Sequence, residues 1–257
     1  FLYMMPEVTL VVLLLVTFVA DFATSQKIRT LAPTDKRRSG FNPMICLLMF
    51  AHILINLFPI ETHTVFGGMY IATPAIGVIK TILAFGTLIV LIQSKEWLSR
   101  PDTAFKEGEF YLLLIATLLG MNMMVSANHF LLFFLGLEMA SVPMACLVAF
   151  DKYRHDSAEA GAKFILTGTF SSGVMLYGIS FIYGAEGTLY FEDIATQLTA
   201  TPFTILGMVF FFSGLGFKIS LVPFHFWTAD SYQGAPTTVT GYLSVVSKGA
   251  AAFALCT

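Results

Sequence analysis

Three ionisable side chains lie in stretches that are otherwise apolar, and they are the residues best placed to do chemistry. Glu138 lies in FLGLEMASVP, Lys218 follows the run GLGF, and Lys248 lies in SVVSKGAAAF. A charge at the centre of a membrane helix costs about 2.5–3.5 kcal/mol on insertion scales, so a chain is expected to keep one only where it has a use. Exchange of protons between a carboxylate, an ammonium group and water is the chemistry that these residue types favour.

The depth of these residues follows from their distance along each apolar stretch. Glu138 comes nine residues after His129, about 14 Å along a helix, and Lys248 comes twelve after Pro236, about 18 Å, so both are predicted near the bilayer midplane. One carboxylate with two or three ammonium groups is not a neutral pair, so at least one lysine needs water or another acceptor. A buried structural ion pair that only holds helices together is the alternative interpretation.

Three other charges lie nearer the ends of apolar stretches. Lys80 lies one to two turns into the third stretch, where a long side chain is predicted to reach the headgroups, so Lys80→Ala is expected to change little. Lys163 lies about as deep in the sixth stretch, and its position leaves this structural interpretation and a functional one equally open. Glu7, near the start of the first stretch, is given the same structural interpretation as Lys80.

A proline interrupts the helix just beyond Lys218. Pro223 has no N–H to donate to Ile219 and its ring crowds that carbonyl group, so a kink or break is predicted one turn after Lys218. Non-helical backbone at membrane depth is tolerated mainly beside a polar cavity, although a simple packing kink and a core histidine stay open. The side chains expected to share such a cavity are Ser220, His225 and Thr228.

The composition requires lipid as the solvent. The 257 residues are 56% hydrophobic and only 12% charged, with a mean hydropathy of +0.79, which predicts an all-α polytopic membrane protein. The net charge of −2 argues against a nucleic-acid partner, and no glycine-rich phosphate loop is present. Cys46, Cys146 and Cys256 lack the paired spacing of a disulfide framework, a zinc site or an iron–sulfur cluster, so no redox centre is expected in this chain.

About eight apolar stretches are long enough to span a bilayer, approximately at 4–22, 42–60, 74–93, 109–125, 129–150, 161–183, 203–226 and 236–257. The basic residues between them fall only in the first, third and fifth connections, which alternate onto one face. By the positive-inside rule that face is cytoplasmic, the N-terminus lies outside, and Trp227 marks the inner interface. Because the chain opens on Phe1 and ends at Thr257 within an apolar run, we expect a fragment of a longer protein. The ten basic residues are Lys27, Arg29, Lys36, Arg37, Arg38, Lys95, Arg100, Lys106, Lys152 and Arg154.

Two segments resemble a known family. FKISLVPFHFWTADSYQGAPTTVTGYLSVVSK and SANHFLLFFLGLEMASVPMACLVAF are similar to the antiporter-like proton-translocating subunits of respiratory complex I, and YQGAP favours one branch over its two larger sisters. The resemblance implies a larger all-helical protein built on two inverted repeats. Residues 1–104 would hold three N-terminal transmembrane helices, and 105–257 the first repeat with its discontinuous helix near Lys218. The second repeat is missing from this sequence.

The resemblance also implies roles for the residues above. Glu138 is similar to the acid of the central ion pair, Lys218 to its partner and Lys248 to the next proton carrier, while Lys163 and His225 would support them. The chain would then move protons through a Glu/Lys/water half-channel as a subunit of NADH:quinone oxidoreductase, driven by quinone reduction elsewhere in the complex.

The same resemblance places the cofactors outside this chain, with NADH, FMN, iron–sulfur clusters and quinone in partner subunits. The implied partners are other membrane subunits of complex I and the lipid of a bacterial-type inner (plasma) membrane. Two alternatives stay open: a subunit of a multi-subunit sodium/proton antiporter, and a structural membrane scaffold whose ion pairs only lock helices.

Overall fold

The computed structural model describes residues 2–29, 41–58, 61–100, 103, 106–151 and 153–256, without the side chains of residues 2 and 24–29. The basic residues Lys36, Arg37, Arg38 and Lys152 therefore lie outside the described residues, as do the side chains of Lys27 and Arg29. The helices are α1 (Met5–Arg29), α2 (Phe41–Asn56), α3 (Pro74–Leu98), α4 (Glu107–Val125), α5 (Phe130–Val148), α6 (His155–Glu186), α7 (Phe191–Gln197), α8 (Pro202–Ile219), α9 (Phe226–Gly234), α10 (Thr237–Tyr242) and α11 (Lys248–Ala254), with a π-helical turn at Leu243–Ser247.

Six of the described helices are long and apolar enough to cross a membrane: α1, α3, α4, α5, α6 and α8. The second predicted span is the shorter apolar helix α2, and the eighth is the unbroken helical segment formed by α10, the π turn and α11. Side chains such as Leu166 and Phe170 are more than two thirds exposed along these helices, which suits a lipid-facing surface. The predicted all-α polytopic bundle is confirmed, although α6 begins at His155, earlier than expected.

The predicted break beyond Lys218 is present as a full interruption. Ser220 has a left-handed backbone with φ of 63°, and the N–H of Leu221 donates to the carbonyl oxygen of Gly216 at 2.8 Å, which closes the end of α8. Helical structure resumes only at Phe226, so Pro223 lies in the gap between α8 and α9. At this interruption the last carbonyl groups of α8 accept from donors outside the regular helical pattern.

Helices α4 and α5 are packed closely enough for their backbones to touch. A Cβ atom added at Gly120 would overlap the backbone of Ala140, and one added at Gly136 would overlap the backbone of Met124. Small residues allow this approach at membrane helix interfaces. The contact lies at the centre of the buried apolar cluster and fixes the rotation of α5, the helix that carries Glu138.

A small β-hairpin, not expected from the sequence, closes one end of the bundle. Strands β1 (His63–Val65) and β2 (Tyr70–Ala72) pair in antiparallel register, with Val65 opposite Tyr70. The N–H of Ile71 donates to the carbonyl oxygen of Ser126 at 2.9 Å, and that of Asn128 donates to Met69 at 2.8 Å. We call this the hairpin end; its hydrogen bonds turn Tyr70 inward, where its side chain is fully buried.

Candidate functional site

Glu138 lies halfway along α5 and is partly buried. The hydroxyl of Ser172 on α6 donates a hydrogen bond to its Oε1 at 2.5 Å. A hydrogen bond to a carboxylate oxygen is charge-assisted and stronger than one between neutral groups. Among the described residues, Ser172 is the side chain that donates to this carboxylate, and it occupies one of the two oxygens.

Lys218 occupies the last turn of α8 and reaches α5 through a serine. Its Nζ donates to the Oγ of Ser141, whose own hydroxyl donates to the carbonyl oxygen of Leu137. Within the described residues, no oxygen of Glu138 lies within 4.0 Å of the ammonium group. The carboxylate still acts electrostatically on Lys218. The two charges are thus coupled across Ser141, one turn from Glu138, rather than in direct contact.

A cavity of about 30 Å³ lies beside Lys218. Its polar lining comes from Ser141, Lys218 and Ser247, while its remaining walls are apolar side chains such as Met121 and Met144. That volume admits a water molecule, and the polar groups supply the partners that a buried water requires. The cavity therefore connects the end of α8 with the residue directly before Lys248.

Lys248 begins α11 immediately after the π turn Leu243–Ser247. Its Nζ lies 5.0 Å from the ring centre of Tyr232 and 6.0 Å from that of Trp227, both within the range of cation–π attraction. Such turns are frequent at functional sites because they rotate the following residues out of the regular helical pattern. In this chain the π turn and the two rings hold the ammonium group of Lys248 near the cavity.

Trp227, which is predicted to mark the inner interface, is buried within the chain, and its side chain is only 5% exposed. Its Nε1–H donates to the carbonyl oxygen of Phe217 at 3.0 Å. The N–H of Ser220 also donates to this carbonyl oxygen, at 3.0 Å, so the indole is its second donor. Trp227 therefore joins the two halves of the discontinuous helix, and its position at the inner interface stays a prediction.

Replacing Trp227 by phenylalanine is expected to lower the free energy of unfolding by about 1 kcal/mol, because the carbonyl oxygen of Phe217 loses one of its two donors while the aromatic ring is kept. Thermal unfolding of the detergent-solubilised protein measures the change. Trp97→Phe is the matched control, since Trp97 packs against the rings of Phe110 and Phe150. Equal losses in the two variants would contradict a specific role for the Nε1–H group.

The structure places Lys163 and His225 apart from Glu138 and Lys218. The Nζ of Lys163 lies 2.6 Å from Asp230 and 2.7 Å from Glu159, and all three side chains are substantially exposed. His225 is exposed and stacks on Phe226 with ring centres 4.8 Å apart. Of the expected cavity group, only Ser220 and Thr228 meet, through a hydrogen bond of 2.7 Å. The supporting roles of Lys163 and His225 stay predictions.

Two hydroxyl groups of the site were missed in the sequence. Ser141 follows Glu138 by three residues, a spacing that places both on one helix face, and this signal was available. Ser172 has no such signal, because its position beside Glu138 depends on how α5 and α6 pack. No group of three or more His, Cys, Asp or Glu side chains suited to a metal ion is found in the described part of the chain.

The prediction for Lys80 is wrong. Its side chain is 2% exposed, and its Nζ lies 2.6 Å from Oε1 of Glu7 and 2.8 Å from the hydroxyl of Tyr70. The position of Lys80 near the start of its apolar stretch predicts that the ammonium group reaches the headgroups. In the fold, the hairpin covers this group and Glu7 on α1 provides a carboxylate. Glu7, 3% exposed, is likewise a buried partner and not a charge at the surface.

Together, the membrane helices, the discontinuous helix and the ionisable groups beside it define a polytopic membrane protein with charged side chains inside its helical bundle. Residues 127–257 match the family described as NADH:quinone oxidoreductase/Mrp antiporter, transmembrane. The chain belongs to this family.

The relatives with curated names are similar over nearly the whole chain. A protein of Phocaeicola vulgatus is 59% identical over 254 residues, 99% of this chain and 52% of its own length. One from Azobacteroides pseudotrichonymphae is 47% identical over 258 residues, again 99% of this chain and 52% of its own length. Both are named NADH-quinone oxidoreductase subunit N, the branch that YQGAP favours, so the resemblance is confirmed. The chain spans about half the length of the curated relatives it matches.

Solved structures agree with the fold. Respiratory complex I from Thermus thermophilus with bound aureothin contains a chain with 28% identity and a TM-score of 0.75, over 97% of this chain and 52% of that one. The archaeal membrane-bound sulfane sulfur reductase matches with 20% identity and a TM-score of 0.66, over 94% and 51%. The second likeness concerns the fold alone.

Proposed function

We propose that this chain is the proton-translocating part of a membrane subunit of NADH:quinone oxidoreductase. The observation that carries the proposal is the series of polar groups in which Ser172 contacts Glu138, Lys218 contacts Ser141 one turn further along α5, and a cavity leads from Lys218 to Ser247, the residue before Lys248. The names of the relatives support the choice of complex. The proposed partners are the other membrane subunits, which would hold or bind NADH, FMN, iron–sulfur clusters and quinone.

In the proposed mechanism, the negative charge of Glu138 stabilises the ammonium form of Lys218 across Ser141. When that field weakens, the ammonium group gives its proton to water in the cavity and becomes a neutral amine. The water chain passes the proton to the neutral amine of Lys248, where the aromatic rings stabilise the new cation. Quinone reduction elsewhere in the complex would supply the energy through charge and hydration changes along the membrane arm.

The proposal includes a topology and a division of the chain. Residues 1–104 form the N-terminal helices and 105–257 the first of two repeats, in a bacterial-type inner membrane. The N-terminus and the hairpin end lie outside, and the connections rich in lysine and arginine lie inside, as the positive-inside rule requires.

Glu138→Gln in the intact complex is the experiment that tests the proposal. The amide oxygen can still accept the hydrogen bond of Ser172, but the charge that acts on Lys218 is lost. We expect a severe fall in protons translocated per electron while the complex still assembles, measured in proteoliposomes during NADH oxidation. Glu192→Gln removes an exposed carboxylate as the control. A normal proton-to-electron ratio in Glu138→Gln would overturn the proposal.

The family description also includes the Mrp antiporter, so a sodium/proton antiporter subunit is the second candidate. The same proteoliposomes distinguish the two functions, because an antiporter exchanges sodium for protons without any electron donor. A structural scaffold gives a third outcome: neutralising Glu138 and Lys218 together would then restore both stability and activity.

A further inference from the structure

A second group of buried ionisable side chains lies at the hairpin end. The hydroxyl of Tyr70 donates to Oε2 of Glu7 at 2.8 Å, and Lys80 donates to both Glu7 and that hydroxyl. All three side chains are at most 3% exposed. They come from α1, β2 and α3, outside residues 127–257, and the proposal made for them does not depend on the function proposed above.

A histidine on α2 extends this cluster. His52 is 2% exposed and lies near enough for the charge of Lys80 to act on it. Its Nδ1 lies 2.8 Å from the hydroxyl of Thr9, and its Nε2 lies 2.9 Å from Nδ2 of Asn56. The hydroxyl of Thr9 donates to the carbonyl oxygen of Met5, so it can accept from Nδ1, and Nδ2 of Asn56 can donate to Nε2; these contacts fit an imidazole with its ring proton on Nδ1.

Helix α4 and the residue that caps its end present two polar side chains, Asn122 and Ser126, to the same region. Ser126, 1% exposed, lies beside the hydroxyl of Tyr70, and Asn122, 0% exposed, precedes it by one helical turn. Within the described residues, neither polar atom of the Asn122 amide has a hydrogen bond. The amide is fully buried, and a buried amide needs a hydrogen-bond partner. Water is the partner small enough to enter.

We propose that Glu7, Tyr70 and Lys80 form a second proton-binding site, and that water bound at Asn122 and Ser126 connects this site with the interior of the bundle. The titratable group that faces it from α2 is His52, whereas α4 and its cap contribute the uncharged Asn122 and Ser126.

Proton uptake by the Glu7–Lys80 pair takes two steps. The ammonium of Lys80 transfers a proton to Glu7, so that one N–H bond breaks and one O–H bond forms, leaving a neutral amine and a carboxylic acid. A hydronium ion arriving along the bound water then protonates the amine and leaves water behind. The site now holds one proton more than before.

A purely structural ion pair does not account for Asn122. The ring of contacts among Glu7, Tyr70 and Lys80 satisfies both carboxylate oxygens without help from α4. A leucine at position 122 would fill similar space with no unpaired polar atoms. The amide therefore lowers stability, and a purely structural ion pair would gain nothing from it. A path for water and protons does require such a group.

Infrared spectroscopy of the complete, detergent-solubilised complex tests the proposal without relying on proton pumping. After a downward pH step we expect a protonated-carboxyl band that is missing in Glu7→Gln. In Asn122→Leu the same band should appear several-fold more slowly, while thermal stability is equal to or higher than that of the unmodified protein. Glu7→Asp, which should shift the band, replaces Glu7→Gln if that variant does not assemble.

Asn42→Leu is the matched control for Asn122→Leu. Asn42 is also a buried asparagine, but its Nδ2 donates to Leu91 at 3.0 Å and to Tyr111 at 2.6 Å. Its replacement should lower stability and leave the rate of band appearance unchanged. The proposal is overturned if no Glu7-dependent band appears while the protein stays folded, or if the band in Asn122→Leu appears at the unmodified rate.

Discussion

Lys218→Ala is expected to reduce proton translocation by the intact complex to background. The ammonium group of Lys218 joins the end of α8 to α5, because it donates to Ser141 and lines the cavity that leads to Ser247. Alanine removes both the proposed proton carrier and this contact, and no described side chain replaces them. Proton uptake per electron, measured with a pH-sensitive dye in proteoliposomes, shows the loss.

Lys95→Ala is the control for Lys218→Ala, because Lys95 is exposed near the end of α3. Lys218→Arg separates charge from proton transfer: it keeps a cation near Ser141, but arginine does not release its proton in proteins. We expect Lys218→Arg to assemble normally and to translocate as poorly as Lys218→Ala. Normal pumping in either Lys218 variant would exclude this lysine as a carrier.

Lys80→Ala is expected to destabilise the protein by about 3–5 kcal/mol, because it leaves the buried carboxylate of Glu7 without its cation. Tyr70 remains as a donor to Oε2, yet a neutral hydroxyl does not replace an ammonium group at 2.6 Å. The melting temperature of the purified protein measures the effect. This expectation reverses the one drawn from sequence depth alone.

The double variant Glu7→Gln/Lys80→Met is the informative comparison for Lys80→Ala. Replacing both partners of a buried pair by neutral residues is often close to neutral for stability, whereas removing one partner is not. We therefore expect the double variant to regain most of the melting temperature lost in Lys80→Ala. A melting temperature for Lys80→Ala equal to that of Lys95→Ala would contradict the buried pair.

Hydropathy and proline chemistry predicted the fold well. The length of each apolar stretch is a local property, and so is the missing N–H of Pro223, which explains why the bundle and the break in α8 were recognisable in advance. Helix ends were less predictable: α6 starts at His155 because polar residues there still form helix outside the apolar run. The hairpin has no apolar periodicity, and its sequence signal is only the pair Gly67 and Gly68, whose positive φ angles form the turn between its strands.

Sequence predicted the residues of the site whose importance follows from their own chemistry, but not the partners they contact. Glu138, Lys218 and Lys248 are conspicuous because a charge is costly in lipid, whatever its partners are. Partners depend on packing: Ser172 reaches Glu138 only through the α5–α6 contact, and Trp227 is buried where its indole donates to a carbonyl group on another helix.

The close contact of α4 with α5 has a mechanical consequence. The backbones of α4 and α5 touch at Gly120 and Gly136, so α5 clashes with α4 if it turns or slides against it. Glu138 and Ser141 are therefore held in fixed positions relative to α4. Lys218 lies next to the break between α8 and α9, where no continuous ladder of backbone hydrogen bonds holds the segment rigid. We therefore expect a change in the distance between the two charges to come from movement of the segment that carries Lys218, while Glu138 stays in place.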